Sequence, residues 1–405
     1  MKKRRETLTA LLFLAVILGM LVLLLGHWQE LRDAALWTYQ TQQAEQASGP
    51  DTAAAVVDTL EKNIDALNPM RDPLIDLNGG FQRLMGKRVI EDAAPDLRVV
   101  RMDDGRLVFT VRDVETDWKA ANLADLNAFC AALDTPLLYV QAPFKVDPAD
   151  PQLPPGVTDY TNENADALLT ALSAQGVDTL DLRAELKADG LDHASMFYRT
   201  DSHWTTEAAF WAYQTLAGTL HTDYGFPLDP AVIDRANFDK RTYPGIFLGS
   251  QGKRVGKLYG GVDDLDLITP RFDTHLRYTV PVHDLVREGD FTQSVLDFSH
   301  VDTIDLYEMS PYYVYSGGDY PNSTIENLNA PDGKKVLLVR DSFSCAVAPF
   351  LSLAVGQLDT FDLRYNTEPL TDYIARTRPD AVLIMYNAGV IKDDIMWRFG
   401  TEGQK

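Results

Sequence analysis

Lys335-Val336-Leu337-Leu338-Val339-Arg340-Asp341-Ser342-Phe343-Ser344 is the stretch on which the fold turns. A short unbroken apolar run closed by a polar turn reads as a strand buried on both faces, the pattern of a parallel sheet covered by helices. A further apolar segment, residues 346–355, follows the turn. Ser342 thereby stands at the carboxyl end of a buried strand, the edge where open α/β sheets gather ligands and chemistry. Backbone N–H groups just after it, that of Phe343 first, are placed to bind an oxyanion.

Similar units lie to either side. Residues 123–133 have helical spacing and are followed by the apolar run Pro136-Leu137-Leu138-Tyr139-Val140; residues 162–175 repeat the helix and 177–182 the strand; Ala381-Val382-Leu383-Ile384-Met385 is the last continuous apolar run. Alternation of this kind predicts an α/β domain of three layers, α/β/α, around a parallel sheet. Arg98 to Arg101, a turn at Asp103-Asp104-Gly105 and Leu107 to Val111 predict an entry hairpin. Across residues 226–330 the periodicity weakens and Tyr, Gly and Asp dominate, so that stretch reads as an insertion of loops and short strands, of the sort that forms lids.

At the other end, Lys2, Lys3, Arg4 and Arg5 precede an apolar run over residues 8–25. At about 1.5 Å per residue such a run spans a bilayer's hydrocarbon core. The positive charges predict a cytoplasmic N-terminus, with the rest of the chain outside. The run ends in Gly26-His27-Trp28-Gln29-Glu30 without a small-x-small cleavage site, so the reading is an uncleaved signal anchor rather than a signal peptide. Residues 31–67 read as two helices with a turn at Ser48-Gly49-Pro50. The expected organisation is a basic tip and transmembrane helix over 1–28, a helical stalk over 29–95, and the α/β domain over 96–405.

Composition excludes several classes. A chain of 405 residues with a formal net charge of −22 and no basic cluster beyond its first residues does not present a nucleic-acid surface. Two cysteines, Cys130 and Cys345, make neither a disulfide framework nor a four-thiolate metal site. His193, His221, His275, His283 and His300 are scattered without metal-ligand spacing, and no cofactor is expected.

Phe197-Tyr198-Arg199-Thr200-Asp201-Ser202-His203-Trp204 precedes Thr205-Thr206-Glu207 and an apolar helix. Thr205 or Thr206 suits the cap, which puts Asp201 and His203 on the loop before the helix. A carboxylate two residues from an imidazole can fix its tautomer and stabilise its cation. Each piece alone is more often a cap or an ordinary turn. Together they make Ser342 a candidate nucleophile, with His203 as its base.

These residues resemble the hallmark of the DHHW proteins, anchored surface proteins of Gram-positive bacteria, with Ser202 in place of the family's first histidine. The resemblance continues through Tyr315-Ser316-Gly317-Gly318-Asp319-Tyr320-Pro321, Arg340-Asp341-Ser342-Phe343, Asp362-Leu363-Arg364-Tyr365 and Met385-Tyr386-Asn387. That family is similar to the alginate acetylation proteins, whose SGNH hydrolase-like domain carries Asp-x-His ahead of the nucleophilic serine. The resemblance implies that Ser342 takes an acyl group as an ester, that His203 shuttles the proton and that Asp201 orients the ring.

It further implies that Asn387 matches an oxyanion-hole asparagine, a turn-forming role being the alternative. Arg364 either orients a substrate anion or pairs internally with Asp362 or Asp341. The implied activity is O-acyl transfer, acetyl in particular, to a cell-envelope or exported polysaccharide from a membrane acyl-donor protein. An esterase with the same triad and a non-catalytic glycan-binding or assembly factor are the competing readings.

Overall fold

The structure, a computed structural model, describes residues 2–44, 48–91 and 98–400. The chain divides into two units, residues 1–80 and 81–405. The boundary expected between 95 and 96 lies outside the described residues.

The first unit holds the helices α1 (Lys2–Gly26), α2 (Trp28–Ala44) and α3 (Gly49–Ala66). α2 and α3 pack together, with a Thr38–Thr59 hydroxyl contact of 3.0 Å. The expectation of one membrane-spanning helix finds no support here. Among the described residues no single helix is long and apolar enough to cross a membrane; the segments Phe13–Gly26 and Trp28–Gln43 reach that length and composition only as a pair bent by 65°. The break falls at Gly26-His27, where glycine costs helix propensity.

α4 (Arg71–Leu84) leads into three short antiparallel strands, β1 (Val89–Ile90), β2 (Val99–Arg101) and β3 (Leu107–Phe109). α5 (Asp117–Ala131), β4 (Leu137–Ala142), α6 (Thr161–Ala174), β5 (Asp178–Asp181) and α7 (Leu182–Ala188) follow. Then comes α8 (Thr206–Tyr224), whose cap is Thr205, its hydroxyl accepting from the Ala208 N–H; Gly225 ends the helix at φ 68°, a left-handed conformation suited to glycine.

The remaining strands are β6 (Phe238–Phe247), β7 (Asp263–Pro270), β8 (Leu276–Val280), β9 (Leu285–Gly289), β10 (Asn322–Asn327), β11 (Lys335–Arg340), β12 (Gln357–Phe361) and β13 (Ala381–Asn387). Eight strands form the central sheet in the order β5-β4-β13-β11-β12-β10-β8-β9. From β5 to β12 the pairings are parallel; β10, β8 and β9 extend the sheet antiparallel.

The sheet is therefore mixed, where a parallel one was expected. Three of its strands come from the stretch 226–330 that reads as a lid-like insertion. β10 alternates half-buried and buried residues along its length, a one-faced period of two that is weaker than a continuous apolar run.

Four of the five parallel strands, β4, β11, β12 and β13, obey the buried pattern closely, whereas the edge strand β5 is exposed to half-buried. On β13, Ala381, Leu383 and Met385 enter one core with α8, while Val382, Ile384 and Tyr386 enter the other with α5 and α6. Two opposite-facing cores on one sheet make the three layers. Register then sets the site: Arg340 lies beside Met385, and Asn387 beside Ala142, so the ends of β11, β13 and β4 open on one edge.

Candidate active site

The nucleophile turn starts from Asp341, which is fully buried and caps the 3-10 turn Ser342–Cys345. Its Oδ1 accepts from the Phe343 N–H at 2.9 Å; its Oδ2 accepts from the Asn387 N–H at 2.6 Å and from Asn387 Nδ2 at 2.7 Å. Burial pushes the Asp341 carboxyl up from its ordinary value, against the pull of these donors. The turn bearing Ser342 is thus tied to the end of β13.

The second segment is the loop before α8, pinned by a bridge between Phe197 and Trp204. Asp263 accepts from the Arg199 and Thr200 N–H groups at 2.9 and 2.8 Å and from the Thr200 hydroxyl at 2.6 Å. Asp201, 3% exposed, uses both oxygens. Oδ1 accepts from the His203 N–H at 3.0 Å and meets His203 Nδ1 at 2.5 Å; Oδ2 accepts from the Ser250 N–H at 2.7 Å.

Burial alone would raise the Asp201 carboxyl, but the His203 charge and these hydrogen bonds overcome it and hold the group well below the usual carboxylate range. The other ring nitrogen, His203 Nε2, lies 2.7 Å from Ser342 Oγ. A carboxylate, an imidazole and a hydroxyl form one continuous chain.

This geometry requires glycine at 249. A Cβ there would sit 2.1 Å from Asp201 Cβ, closer than atoms can approach, so Gly249→Ala must displace the carboxylate. A shift of about 1 Å at a reacting group costs on the order of 10²-fold in rate, and a loss of that size is expected in ester turnover by the variant. An unchanged rate would show that Asp201 is not held by this contact.

Sequence reasoning also named Phe343, Asn387 and Arg364, the last two each with an internal role as the alternative, and the contacts each makes are internal. The Phe343 N–H is spent on Asp341, not offered to an oxyanion. Asn387 gives both donors above to Asp341 and accepts from the Gly389 N–H at 2.7 Å, so the turn-forming alternative is the one its contacts carry.

Arg364 forks onto Asp362, with Nε to Oδ1 at 3.0 Å and Nη2 to Oδ2 at 2.6 Å, and also reaches Asp319 at 3.3 Å. Arg340 bonds Asp319 and lies 3.7 Å from Asp362. This is an internal network of two arginines and two aspartates, and Arg364 takes no free ligand-binding pose in it.

Removing one member strands a buried charge. Asp319→Ala is expected to cost about 3–5 kcal/mol, read as a lower urea midpoint. Burial would raise the Asp319 carboxyl, yet Arg340 and Arg364 hold it below its ordinary value. Its contribution is therefore complete above about pH 4 and fades as pH falls below that. The wild-type chain should show this loss on acidification and the variant should lack it.

Two further residues touch the site, and the first of them carried no signal in the sequence. Lys145, after β4, is fully buried and donates to the Leu107 carbonyl at 2.7 Å and to the Asp201 carbonyl; burial pushes its ammonium down to about 7. Tyr312, 1% exposed, stacks on His203 at 4.0 Å between ring centroids and 14° between planes. A tyrosine reads as a sugar platform or as core; only the fold shows which residue it faces. Cys130 and Cys345 are both buried free thiols.

Comparison with known proteins bears on the fold and the motif. Residues 110–242 match the family model described as SGNH hydrolase-like domain, acetyltransferase AlgX, and residues 188–358 match the model described as DHHW protein. Among solved structures, Bacillus cereus PatB1, determined with a sulfonyl adduct, aligns at a TM-score of 0.61 and 22% identity over 74% of this chain and 99% of its own. A DHHW family protein from Eubacterium siraeum aligns at 0.54 and 18% identity over 76% of this chain and 97% of its own. At these identities the structural likeness speaks for the fold. No curated protein matches the chain.

Proposed function

We propose, for a chain that matches the DHHW family model over residues 188–358 on an SGNH hydrolase-like fold, that it is an O-acyltransferase, an O-acetyltransferase in particular, acting outside the cytoplasm on a cell-envelope or exported polysaccharide. The observation that carries this reading is the continuous contact from Asp201 through His203 to Ser342 at 2.5 and 2.7 Å. Such a chain is what a serine nucleophile needs, a base within reach and a carboxylate that sets the base's tautomer.

In the proposed cycle Ser342 Oγ attacks the carbonyl carbon of the acyl donor while its proton passes to His203 Nε2. The tetrahedral intermediate collapses, the donor's leaving group takes that proton, and the acyl group remains as an ester on Ser342. A sugar hydroxyl then attacks the ester carbonyl and gives its proton to His203. Collapse returns the proton to Ser342 and releases the acylated sugar. Asp201, already ionised, stabilises the imidazolium in both halves.

The basic and apolar N-terminal sequence supports a working position at a membrane, beside a membrane protein that supplies the acyl group. In this reading the bent helix pair makes the membrane contact.

Intact mass spectrometry of the full chain after exposure to an activated acetyl ester tests the reading. One acetyl group mapping to Ser342, transferred onward when a glycan acceptor is added, is the expected result. A folded chain that stays unmodified would leave a glycan-holding protein in place of an enzyme, and an adduct consumed equally fast without glycan would make it an esterase.

A further inference from the structure

We propose that Tyr312 is a positioning residue that holds the base and the nucleophile turn in register and electrostatically favours the protonated form of His203. This deepens the function proposed above and depends on it. Tyr312 belongs to the 3-10 turn Pro311–Val314, inside the stretch that reads as an insertion.

Its ring face lies nearly parallel to the imidazole at 4.0 Å. Its hydroxyl donates to the Phe343 carbonyl at 2.8 Å, the residue directly after Ser342. Trp204, directly after His203, donates its indole N–H to the same carbonyl at 3.0 Å and lies 3.2 Å from the Tyr312 hydroxyl. One side chain therefore touches the plane of the base and the backbone of the nucleophile, and the residue next to the base closes the triangle.

Burial pushes the Tyr312 phenol well above its ordinary value, so the hydroxyl remains a neutral donor. The ring face is electron-rich, and a cation held over such a face is attracted to it, more strongly out of water. His203 becomes that cation each time it takes a proton from Ser342 or from the acceptor. The attraction grows as the charge develops and so favours the transition state over the ground state.

The groups around His203 are few. Asp201 faces Nδ1 from the same loop, Ser342 faces Nε2 from the turn after β11, and Tyr312 and Phe343 flank the ring. Lys145, after β4, reaches the Asp201 carbonyl, and Asp341 is committed to the Phe343 N–H and to Asn387. Of the two uncharged rings that flank it, Tyr312 is the nearer and the one stacked nearly parallel on its face, whereas Phe343 is tilted by 46° at 5.4 Å.

The test places phenylalanine and progressively fluorinated phenylalanines at position 312 of the full chain and records kcat/KM against pH with an activated acetyl ester. Fluorination removes the negative face at nearly constant shape. Tyr312→Phe is expected to leave the acid limb in its wild-type position and to lower kcat a few-fold, through the lost bond to Phe343.

The fluorinated series is expected to move that limb stepwise to lower pH, by up to about one unit, with kcat falling in step and KM unchanged. A ring that only filled space would give one acid limb for the whole series, and that outcome overturns the proposal. A wild-type chain that never acylates Ser342 removes the underlying function as well, and shows this before any substitution is made.

Discussion

Ser342→Ala is expected to lower kcat for acyl transfer by up to about 10⁶-fold and to abolish the acetyl adduct, while the chain unfolds at the same denaturant concentration as the wild type within about 1 kcal/mol. The two halves of this prediction have separate causes. Among the described residues the Ser342 hydroxyl is the only one hydrogen-bonded to His203 Nε2, at 2.7 Å, so no neighbour takes over the covalent step. The turn itself is held by Asp341 through the Phe343 N–H and Asn387, none of which involves that hydroxyl. Loss of activity together with a large loss of stability would mean that Ser342 supports the fold and that the chemistry was misassigned. Full activity in a stable variant would remove Ser342 from the mechanism.

Asp201→Asn is expected to cost about 10⁴-fold in kcat, with the acyl-enzyme still formed slowly. The carboxylate receives the His203 N–H and ring Nδ1 on one oxygen and the Ser250 N–H on the other. An amide has a single oxygen and cannot serve both sides. Turned toward His203, it points its NH₂ at the Ser250 N–H. Turned toward Ser250, it presents a donor to Nδ1, and the ring then carries its proton on Nε2 and cannot accept one from Ser342.

Either orientation also removes the negative charge that stabilises the imidazolium. Because Asp201 is held ionised far below the usual carboxylate range, no limb of the wild-type pH profile above about pH 4 belongs to it. Single-turnover acylation of the two proteins measures this directly, and a loss below tenfold would reduce Asp201 to a structural cap.

Much of this site could be read from the chain because its parts sit at ends of elements with strong local signals. The unbroken apolar runs of β4, β11 and β13 mark strands buried on both faces, and Ser342 follows from the end of one of them. Thr205 marks the start of α8 and so places Asp201 and His203 on the preceding loop. The pieces that escaped are set by partners distant in sequence. β8, β9 and β10 alternate weakly because one edge of the sheet is only half covered, so their membership of the central sheet depends on β12. Asn387 and Arg364 carry side chains able to bind a ligand, and only the presence of Asp341 in one case and of Asp319 and Asp362 in the other turns them inward.

The base and the nucleophile stand 139 positions apart, and the strand that anchors the nucleophile turn, β13, comes later still. A ribosome builds this protein from the other end, so every growing chain carries a base with nothing to deprotonate until Ser342 has been added. The turn then lacks its tie to β13 until Asn387 exists. Under the proposed mechanism, reactivity toward acyl donors arrives only once that strand has been added, and a nascent copy that ends before it is an inert polypeptide.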